Sequence, residues 1–367
     1  MENRDNKSAK LKYNQIEEEL KALILEEKIK PGEKMPSENV LSKQYGVSRQ
    51  TVRKAISDLI NEGYVYAVQG SGTYCSDASR FKKDSKDIAV VMTYLSDYIF
   101  PKVISGIDSV LSENGYSIVL KNTNNSRTRE IKCLEELIEK NIDGIIIEPS
   151  KSNVFCKHKD LYDKLDKYGI PYVFIQGSYS VMEDKPHVLM DDEKGAYLLT
   201  KHLIDLGHRN ILGVFKSDDV QGQNRHKGYA KALADAGLSY DPERVIWFYT
   251  EDRAVHPYVN LQNMIRAGKE IDAIVAYNDQ LAYHLVKAIR EMGLRVPEDI
   301  SITGYDNSPT TGSPQLRLTT ITHPQQELGK IAAQMLLKMI RGEEVEHKVI
   351  IEPELIEGNS CIKKKRR

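Results

Sequence analysis

The spacing of apolar residues changes along the chain and separates an amino-terminal region from a much longer second region. Up to Cys75, apolar residues recur at helical spacing. This pattern predicts three helices, which span residues 13–28, 38–45 and 49–62. Ser37 and Ser48 stand where they can cap the second and third helices, and Gly46 supplies a left-handed turn between those two helices.

The residues after the third helix predict a β-hairpin, because apolar and polar residues alternate over 63–75 around a glycine-rich tip. Two short helices joined by a tight glycine turn form a helix-turn-helix, whose second helix enters the DNA major groove. Arg49 and Gln50 can read base edges, while Ser48 and Lys54 suit phosphate. A small dimerisation module with a charged face also fits, but the basic helix start and the hairpin together favour nucleic acid recognition.

The stretch KIKPGEKMPSENVLSKQYGVSRQTVRKAISDLINEGYVYAVQGSGTYC closely resembles the winged helix-turn-helix of the GntR family of bacterial transcription regulators. The resemblance implies that the third helix and the hairpin wing contact double-stranded operator DNA, and that a carboxylate at the start of the second helix approaches the groove. With the two phosphate-binding residues, the predicted DNA contacts are Glu38, Ser48, Arg49, Gln50, Thr51, Arg53, Lys54, Gln69, Gly70, Ser71 and Gly72.

Beyond Asp87, near-continuous apolar runs of strand length alternate with amphipathic helical stretches, which predicts parallel β-sheet covered by helices on both faces. Eight strands are predicted, at 88–95, 116–122, 143–149, 171–177, 210–216, 244–250, 272–279 and 299–306. They fit one large sheet or two βαβ lobes. The predicted fold class is therefore α/β, and the predicted domains are a DNA-binding domain (10–75), a polar linker (76–87) and an effector-binding and dimerisation domain (88–360).

Polar and aromatic residues follow several of these strands, at the edge where open α/β sheets bind ligands. Carboxylates, amides and cations can hydrogen-bond vicinal hydroxyls, and tyrosine rings can stack on a sugar ring, so the chemistry favours a small polyol. Asp191, Asp192 and Ser308 are more consistent with helix capping, and Arg209 with a structural role. The predicted effector-binding residues are Tyr94, Tyr98, Lys102, Glu148, Lys216, Gln221, Arg225, Asn278, Asp279, Asp306 and His323.

The span 86–357 resembles the effector domain of LacI-type repressors, which have the two-lobed architecture of periplasmic sugar-binding proteins. The motifs that carry this resemblance are DDEKGAYLLTKHLIDLGHRNI, NRHKGY, AIVAYNDQLA, VPEDISITGYDN and LTTITHPQQELG. The resemblance implies that Arg225, Asn278 and Asp306 line the effector site and that His323 approaches the ligand. LacI-type sensors usually follow a LacI-type reader and hinge helix, so hinge-helix insertion into the minor groove is not expected here.

A GntR-type reader joined to a LacI-type sensor, with TYLSDYIFP at 93–101 and IEPSKS at 147–152, closely resembles the L-arabinose-responsive repressors of Gram-positive bacteria. The resemblance implies a homodimer on a palindromic operator, released by L-arabinose; the residues themselves leave another sugar and either sign of regulation open. Dimer contacts are predicted on the helix at 102–114, where an apolar stripe could instead pack on its own sheet. The stripe consists of Ile104, Ile107, Val110 and Leu111.

Composition excludes several other classes. The chain has 367 residues, 52 Lys+Arg, 53 Asp+Glu and 40% hydrophobic positions, which fits a soluble globular protein rather than a disordered one. Without an apolar run of about 18 residues or a secretory signal, we expect a cytoplasmic protein that contacts no membrane. Four scattered cysteines suggest neither disulfides nor a metal site. We expect no cofactor.

A sugar-acting enzyme and a transport binding protein are the rival classes. G-x-S-x-G, H-E-x-x-H and P-loop motifs are absent from the sequence, which disfavours the enzyme. A transport binding protein predicts an export signal and no DNA-binding domain. The basic residues 363–367 could contact phosphate, but a solvated tail is the favoured interpretation.

Overall fold

The computed structural model describes residues 2–25, 28–76, 85–95, 98–140, 142–308 and 315–364. Most of the predicted linker (77–84), residues 96–97 of the loop after the first predicted strand and residues 365–367 of the basic tail lie outside the described residues. The chain divides into two compact units, residues 1–85 with 160–170 and residues 86–159 with 171–367.

The amino-terminal region of the first unit is a winged helix-turn-helix. Its elements are α1 (Glu2–Leu25), α2 (Glu38–Tyr45), α3 (Arg49–Asn61), β1 (Val65–Val68) and β2 (Gly72–Cys75). The predicted caps are present: Ser37 Oγ accepts the Val40 N–H, Ser48 Oγ accepts the Thr51 N–H, and Gly46 has a φ of 61°. The second and third helices and the hairpin were predicted from the sequence, whereas α1 begins earlier than expected.

The second unit contains two parallel sheets, so the two-lobe alternative is the right one. In chain order the elements from residue 87 to residue 205 are β3 (Asp87–Met92), α4 (Phe100–Glu113), β4 (Ser117–Asn122), α5 (Arg127–Glu139), β5 (Gly144–Ile147), α6 (Lys159–Lys167), β6 (Tyr172–Ile175), β7 (His187–Met190) and α7 (Asp192–Asp205). Helix α6 groups with the first unit, although it connects two strands of the second.

The remaining elements are β8 (Ile211–Lys216), α8 (Val220–Asp235), β9 (Val245–Phe248), α9 (His256–Arg266), β10 (Ala273–Ala276), α10 (Asp279–Glu291), β11 (Ser301–Thr303), β12 (Thr320–Ile321), α11 (Gln325–Ile340), β13 (Lys348–Ile351) and β14 (Leu355–Ile356). The first lobe holds a six-stranded sheet in the order β13-β7-β6-β5-β3-β4, and the second lobe a four-stranded sheet in the order β11-β10-β8-β9. All eight predicted strands are present; β7 and the short strands β12 to β14 were not predicted.

The chain crosses between the two lobes three times. It passes from β7 of the first sheet into α7, which packs on α8 of the second lobe. It returns between β12 and α11, since α11 packs on β5 and β6, and it leaves again between β13 and β14. The carboxyl ends of both sheets therefore face one cleft, where side chains from either lobe can meet around a ligand.

Helix α4 is packed into the first lobe more closely than its sequence suggested. A Cβ on Gly106 would lie 2.0 Å from the Gln326 carbonyl oxygen, so the backbones of α4 and α11 are in direct contact. Ile107, Val110 and Leu111 are buried in this lobe's own core, while Ile104 is half-buried. The apolar stripe proposed for dimerisation thus packs on its own lobe, because helix α11 covers it.

None of the helices in the described part of the chain combines the length and the apolar character needed to cross a bilayer.

Candidate functional site

Helix α3 buries one face and exposes the face predicted to contact DNA. Val52, Ala55 and Leu59 lie in the core, while Arg49 and Gln50 are exposed at the amino-terminal turn. Because helical residues three and four positions apart share a face, the exposed Arg49 and Arg53 lie side by side. This arrangement is compatible with a major-groove reader.

Four of the predicted DNA contacts are already engaged with protein groups. Arg53 makes a bidentate pair with Glu38, with Nε 3.0 Å from Oε1 and Nη2 2.9 Å from Oε2, and this hydrogen-bonded guanidinium lowers the pKa of Glu38. The pair fixes the start of α2 against α3. The hydroxyls of Ser48 and Thr51 are 2.8 Å apart, so each has a protein partner as well.

The wing is a tight two-stranded hairpin. Gly70 and Gly72 have φ values of 75° and 123°, the left-handed region that favours glycine. Tyr66 and Tyr74 stack across the strands with ring centroids 5.9 Å apart, and Tyr74 shares a hydrogen bond with Ser71. Gln69 at the tip is exposed. The remaining predicted reader, Lys54, is also exposed, with its Nζ 4.1 Å from the Tyr13 ring centroid.

A cavity of about 300 Å³ lies between the two lobes of the second unit, at the carboxyl ends of both sheets. Of the predicted effector-binding residues, the cavity is lined by Tyr94, Tyr98, Glu148, Lys216, Gln221, Arg225, Asn278 and Asp306. Further lining residues that sequence reasoning did not select include Thr93, Asn125, Gln176, Phe248, Arg253, Tyr277, Gln280 and His284. Both lobes thus supply polar groups to a single site.

Arg225 forms the buried centre of the second lobe's cavity wall. Its Nε lies 2.8 Å from Asp192 Oδ1, its Nη1 donates to the Tyr277 carbonyl at 2.6 Å, and its Nη2 lies 3.4 Å from Asp306 Oδ1. The guanidinium also stacks 3.6 Å from the Tyr305 ring centroid. Burial opposes the charged form, but the two carboxylates outweigh it and raise the pKa of Arg225 well above its usual value.

Tyr98 connects the first lobe to this centre. Its hydroxyl donates to Asp306 Oδ2 at 2.5 Å, and burial, followed by the carboxylate charge, raises the pKa of the Tyr98 phenol. Asp306 and Tyr98 both have positive φ values, 92° and 62°, as do Asn125 and Gln176 at 52° and 64°. All four residues line the cavity. Left-handed backbone in non-glycine residues costs free energy and is concentrated where a site requires a particular side-chain direction.

Glu148 and Lys216 form another polar part of the lining. Glu148 Oε2 accepts the Thr93 backbone N–H at 3.0 Å and the Thr93 hydroxyl at 2.5 Å. Burial raises the pKa of Glu148 to about 7, so this carboxyl titrates near neutrality. Lys216 Nζ lies 3.0 Å from Asp219 Oδ2; burial disfavours its charge, but neighbouring carboxylates raise its pKa above the ordinary value.

Two buried polar atoms of the lining lack a partner among the described residues. They are the hydroxyl of Tyr94 and the Nε2 of Gln176. A buried polar group that makes no hydrogen bond is costly, so such atoms are uncommon unless a ligand or solvent satisfies them. Both atoms can donate to a ligand oxygen. The cavity therefore presents donors, acceptors and aromatic surface to a polar ligand.

Three predicted effector-binding residues lie outside the lining. Lys102 is exposed on α4. Asp279 is buried but accepts the Ser308 N–H and the Thr320 hydroxyl, so its carboxylate orders the loop that carries Asp306. His323 lies behind Gln176, with its Nε2 3.0 Å from Gln176 Oε1. The sequence predicted that these three residues contact the effector, but none of them lines the cavity.

The capping assignments have mixed outcomes. Asp191 caps α7 by accepting the Lys194 N–H, as predicted. Asp192 pairs with Arg225 instead of capping, and burial raises its pKa to about 6. Asn278 caps α10 through the Leu281 N–H and lines the cavity as well. Arg209 donates its backbone N–H to Asp272 and its guanidinium to the Ile204 and His208 carbonyls, in keeping with the predicted structural role.

Metal-binding geometry is not found among the described ranges: no three His, Cys, Asp or Glu side chains there cluster as a metal site. The cysteines at positions 75, 133, 156 and 361 are free thiols.

Two family models match parts of this chain. Residues 12–75 match the family model described as bacterial regulatory proteins, gntR family, and residues 200–361 match the periplasmic binding protein-like domain. A relative from Halalkalibacterium halodurans, named arabinose metabolism transcriptional repressor, is 42% identical, with 96% of this chain and 97% of that protein covered. A protein of the same name from Geobacillus stearothermophilus is 41% identical over 95% of this chain and 97% of its own length.

Among solved structures, a LacI family transcriptional regulator from Enterococcus faecium with bound ribose is similar, with a TM-score of 0.66 and 27% identity. The alignment covers 76% of this chain and 100% of that one. The transcription regulator CcpA of Lactococcus lactis aligns with a TM-score of 0.66 and 27% identity over 75% of this chain and 98% of its own.

The raised pKa of Glu148 predicts a specific pH dependence of folding stability. The pKa of Glu148 is about 7 in the folded protein against an ordinary 4.5. The stability that the protonated Glu148 carboxyl contributes is therefore full below about pH 4.5 and is lost as the pH rises through 7. Glu148→Gln stays neutral, and we expect it to be about 2–3 kcal/mol more stable than the unsubstituted protein at pH 8 but similar at pH 4.5.

Urea unfolding of both proteins at the two pH values measures this difference. Glu135→Gln, at an exposed position of α5, is the matched control and should show no such dependence. Parallel stability curves for Glu148→Gln and the unsubstituted protein would contradict the assignment of a buried, near-neutral carboxyl.

Proposed function

This chain belongs to the family of arabinose metabolism transcriptional repressors, and we propose that it binds a palindromic operator as a homodimer and is released when L-arabinose occupies the interlobe cavity. As a member of this family, the chain is a sugar-responsive transcriptional repressor of arabinose metabolism and not an enzyme. Its proposed site of action is the cytoplasm, where operator DNA is found.

The observation that carries the effector proposal is the lining of the cavity. Sugar hydroxyls both donate and accept hydrogen bonds, and the lining offers Glu148 and Asp306 as acceptors, with Tyr94 and Gln176 as donors that lack protein partners among the described residues. A volume of 300 Å³ equals roughly ten liquid water molecules, enough for a monosaccharide. L-arabinose is the monosaccharide that agrees with the family.

The DNA side of the proposal rests on the exposed face of α3. Arg49 and Gln50 are the proposed base readers, because guanidinium and amide groups can make bidentate hydrogen bonds to base edges. Lys54 and Ser48 are proposed to contact phosphate, and the wing tip at 69–72 to contact the adjacent backbone or groove. The Glu38–Arg53 pair positions the two helices for this contact. A dimer with two such readers requires a palindromic operator.

Release follows from linkage between the two sites. A sugar that binds one lobe arrangement more tightly shifts the population toward it, and operator affinity changes if the dimer needs another arrangement to span both half-sites. Tyr98 and Asp306 contact each other from opposite lobes beside the proposed ligand, so sugar binding acts directly on an interlobe contact. Because the α4 stripe is buried, dimer contacts are proposed elsewhere on the effector domain.

Tyr94→Phe tests the sugar site without disturbing a bond of the free protein. The Tyr94 hydroxyl has no partner among the described residues, so we expect unchanged or slightly higher melting temperature and about tenfold weaker L-arabinose binding by titration calorimetry. Tyr229→Phe is the control, since that hydroxyl donates to the Ile211 carbonyl inside the second lobe; it should cost stability and leave sugar affinity unchanged.

The sugar panel for this titration includes D-xylose, D-ribose and D-galactose. Equal L-arabinose affinity for Tyr94→Phe and the unsubstituted protein would refute the placement of the sugar. If a different sugar binds more tightly and loses affinity in Tyr94→Phe, the cavity remains the proposed sugar site, but that sugar replaces L-arabinose as the proposed effector.

Arg49→Ala tests the DNA site. Loss of a bidentate base contact is expected to weaken specific operator binding about tenfold or more, while leaving sugar affinity intact. Fluorescence anisotropy at several salt concentrations measures this, and unsubstituted binding should weaken steeply with salt because phosphate contacts release counterions. Arg266→Ala, exposed at the end of α9, removes the same charge elsewhere and should change operator affinity little. If Arg49→Ala and Arg266→Ala change operator affinity equally, the proposal that Arg49 reads bases is wrong.

A further inference from the structure

A second set of polar contacts joins the two lobes beside the cavity. Two loops of the first lobe, 124–125 and 150–153, meet two loops of the second lobe, 217–220 and 249–251; we call these four segments the interlobe clamp. Its neutral contacts are four hydrogen bonds: Asn125 Nδ2 to Thr250 Oγ1 at 2.6 Å, the Val220 N–H to Ser152 Oγ at 3.0 Å, Asn153 Nδ2 to the Ser217 carbonyl at 3.0 Å, and the Asn153 N–H to the Asp218 carbonyl at 3.4 Å.

Lys151 supplies the charge of the clamp. Its Nζ lies 3.5 Å from Asp218 Oδ2 and forms an ion pair with Glu251, both on the second lobe. The Asp218 side chain is 0% exposed and that of Lys151 20% exposed, so this pair is shielded from water far more than an ordinary surface pair. A buried carboxylate requires cations nearby, because burial of an unpaired charge is costly.

The alternative cation for Asp218 is already shared. Lys216 Nζ lies 3.7 Å from Asp218 Oδ1 but only 3.0 Å from Asp219 Oδ2, so its charge serves two carboxylates. When the lobes separate, Lys151 leaves Asp218, and the aspartate loses its second cation. The Lys151 charge therefore favours the closed arrangement of the lobes.

The loop that carries Lys151 is held rigidly in the first lobe. Lys151 has a φ of 50°, and its N–H donates to Asn125 Oδ1 at 2.7 Å, which connects the two first-lobe loops. The preceding Ser150 N–H donates to the buried Glu130 carboxylate, which His158 Nε2 also contacts at 2.8 Å. A braced loop presents the ammonium group at a fixed place, so little entropy is lost when the lobes close.

The three residues of the charged bridge lie next to the proposed sugar site in sequence but outside its lining, whereas Asn125 and Asp219 of the clamp segments belong to the lining. In the described part of the chain, Lys151, Asp218 and Glu251 are absent from the cavity wall, whereas Glu148, Lys216 and Arg253, from the same loops, belong to it. When the clamp forms, the sugar-facing side chains of both lobes are therefore brought together around the cavity.

We infer that Lys151 is a positioning residue for effector binding: it bridges the lobes, stabilises the arrangement in which their sugar-facing groups meet, and sets the affinity for the sugar without contacting it. The inference rests on the proposed function. Because the bridge joins the two lobes and is broken when they separate, its loss should act mainly on sugar dissociation.

Lys151→Met tests the inference, since methionine keeps the length of the side chain and removes the charge. In stopped-flow and calorimetric experiments with L-arabinose on the full chain, we expect about tenfold faster dissociation, a nearly unchanged association rate and correspondingly weaker binding. Sugar-free operator affinity should be unchanged or slightly higher, because the closed arrangement that the proposal couples to operator release becomes rarer. Lys201→Met is the matched control, because Lys201 pairs with Asp205 inside a single helix; its sugar kinetics should equal those of the unsubstituted protein.

A charge exchange separates the bridge from a general structural role. Lys151→Glu should weaken sugar binding more than Lys151→Met, and adding Glu251→Lys should restore part of the loss, since the interlobe pair is rebuilt with opposite polarity. If the unsubstituted protein binds L-arabinose and Lys151→Met shows the same sugar kinetics, the inference about Lys151 is wrong, while the proposed function stands. If the unsubstituted protein binds no sugar of the panel, the proposed function is wrong and the inference falls with it.

Discussion

The buried guanidinium of Arg225 is the interaction on which the effector site depends. Arg225 is 4% exposed, and a charge at that depth is tolerated only when charged or polar partners surround it. Those partners are the Asp192 carboxylate at the start of α7, the Tyr277 carbonyl after β10 and the Asp306 carboxylate after β11. One cation thereby fixes three separate segments of the second lobe, and Tyr98 extends the network to the first lobe.

The site gains its geometry at a cost in folding free energy. Burial raises the pKa of Glu148 and of Asp279 to about 7, and several lining residues have left-handed backbone. A chain selected only for stability would not keep these features, since each one destabilises the folded state. A polar ligand that donates to Glu148 and accepts from Tyr94 would recover part of this cost, so ligand binding and lobe closure are expected to stabilise the protein together.

The sequence predicted those features that local physics determines. The helix-turn-helix was found because capping serines and a left-handed glycine mark its helix ends, and the eight sheet strands because buried parallel strands are continuously apolar. Strands β7 and β13 were not predicted. Strand β13 lies at the edge of its sheet, where its residues are exposed or half-buried, and it lacks the apolar run of a central strand. The division into two lobes could not be read from the strands, because it depends on which strands pair.

The same distinction holds for the cavity. Residues directly after strands were found because the carboxyl ends of parallel strands bind ligands, and Gln176 follows the same rule after β6 although it was not selected. Arg253 reaches the lining from a loop without a recognisable pattern, so only the packed structure reveals it. Lys102 faces outward because of its phase on α4, and His323 is separated from the cavity by Gln176, which sequence spacing cannot show.

The most direct test of the account is the operator affinity of the full chain with and without saturating L-arabinose. Sugar occupancy should weaken operator binding by a factor of about 5 to 150, the usual size of coupling between two sites, with sugar binding confirmed in the same sample by calorimetry. If calorimetry shows the sugar bound and the operator dissociation constant stays the same, the cavity does not control the DNA reader and the account is wrong.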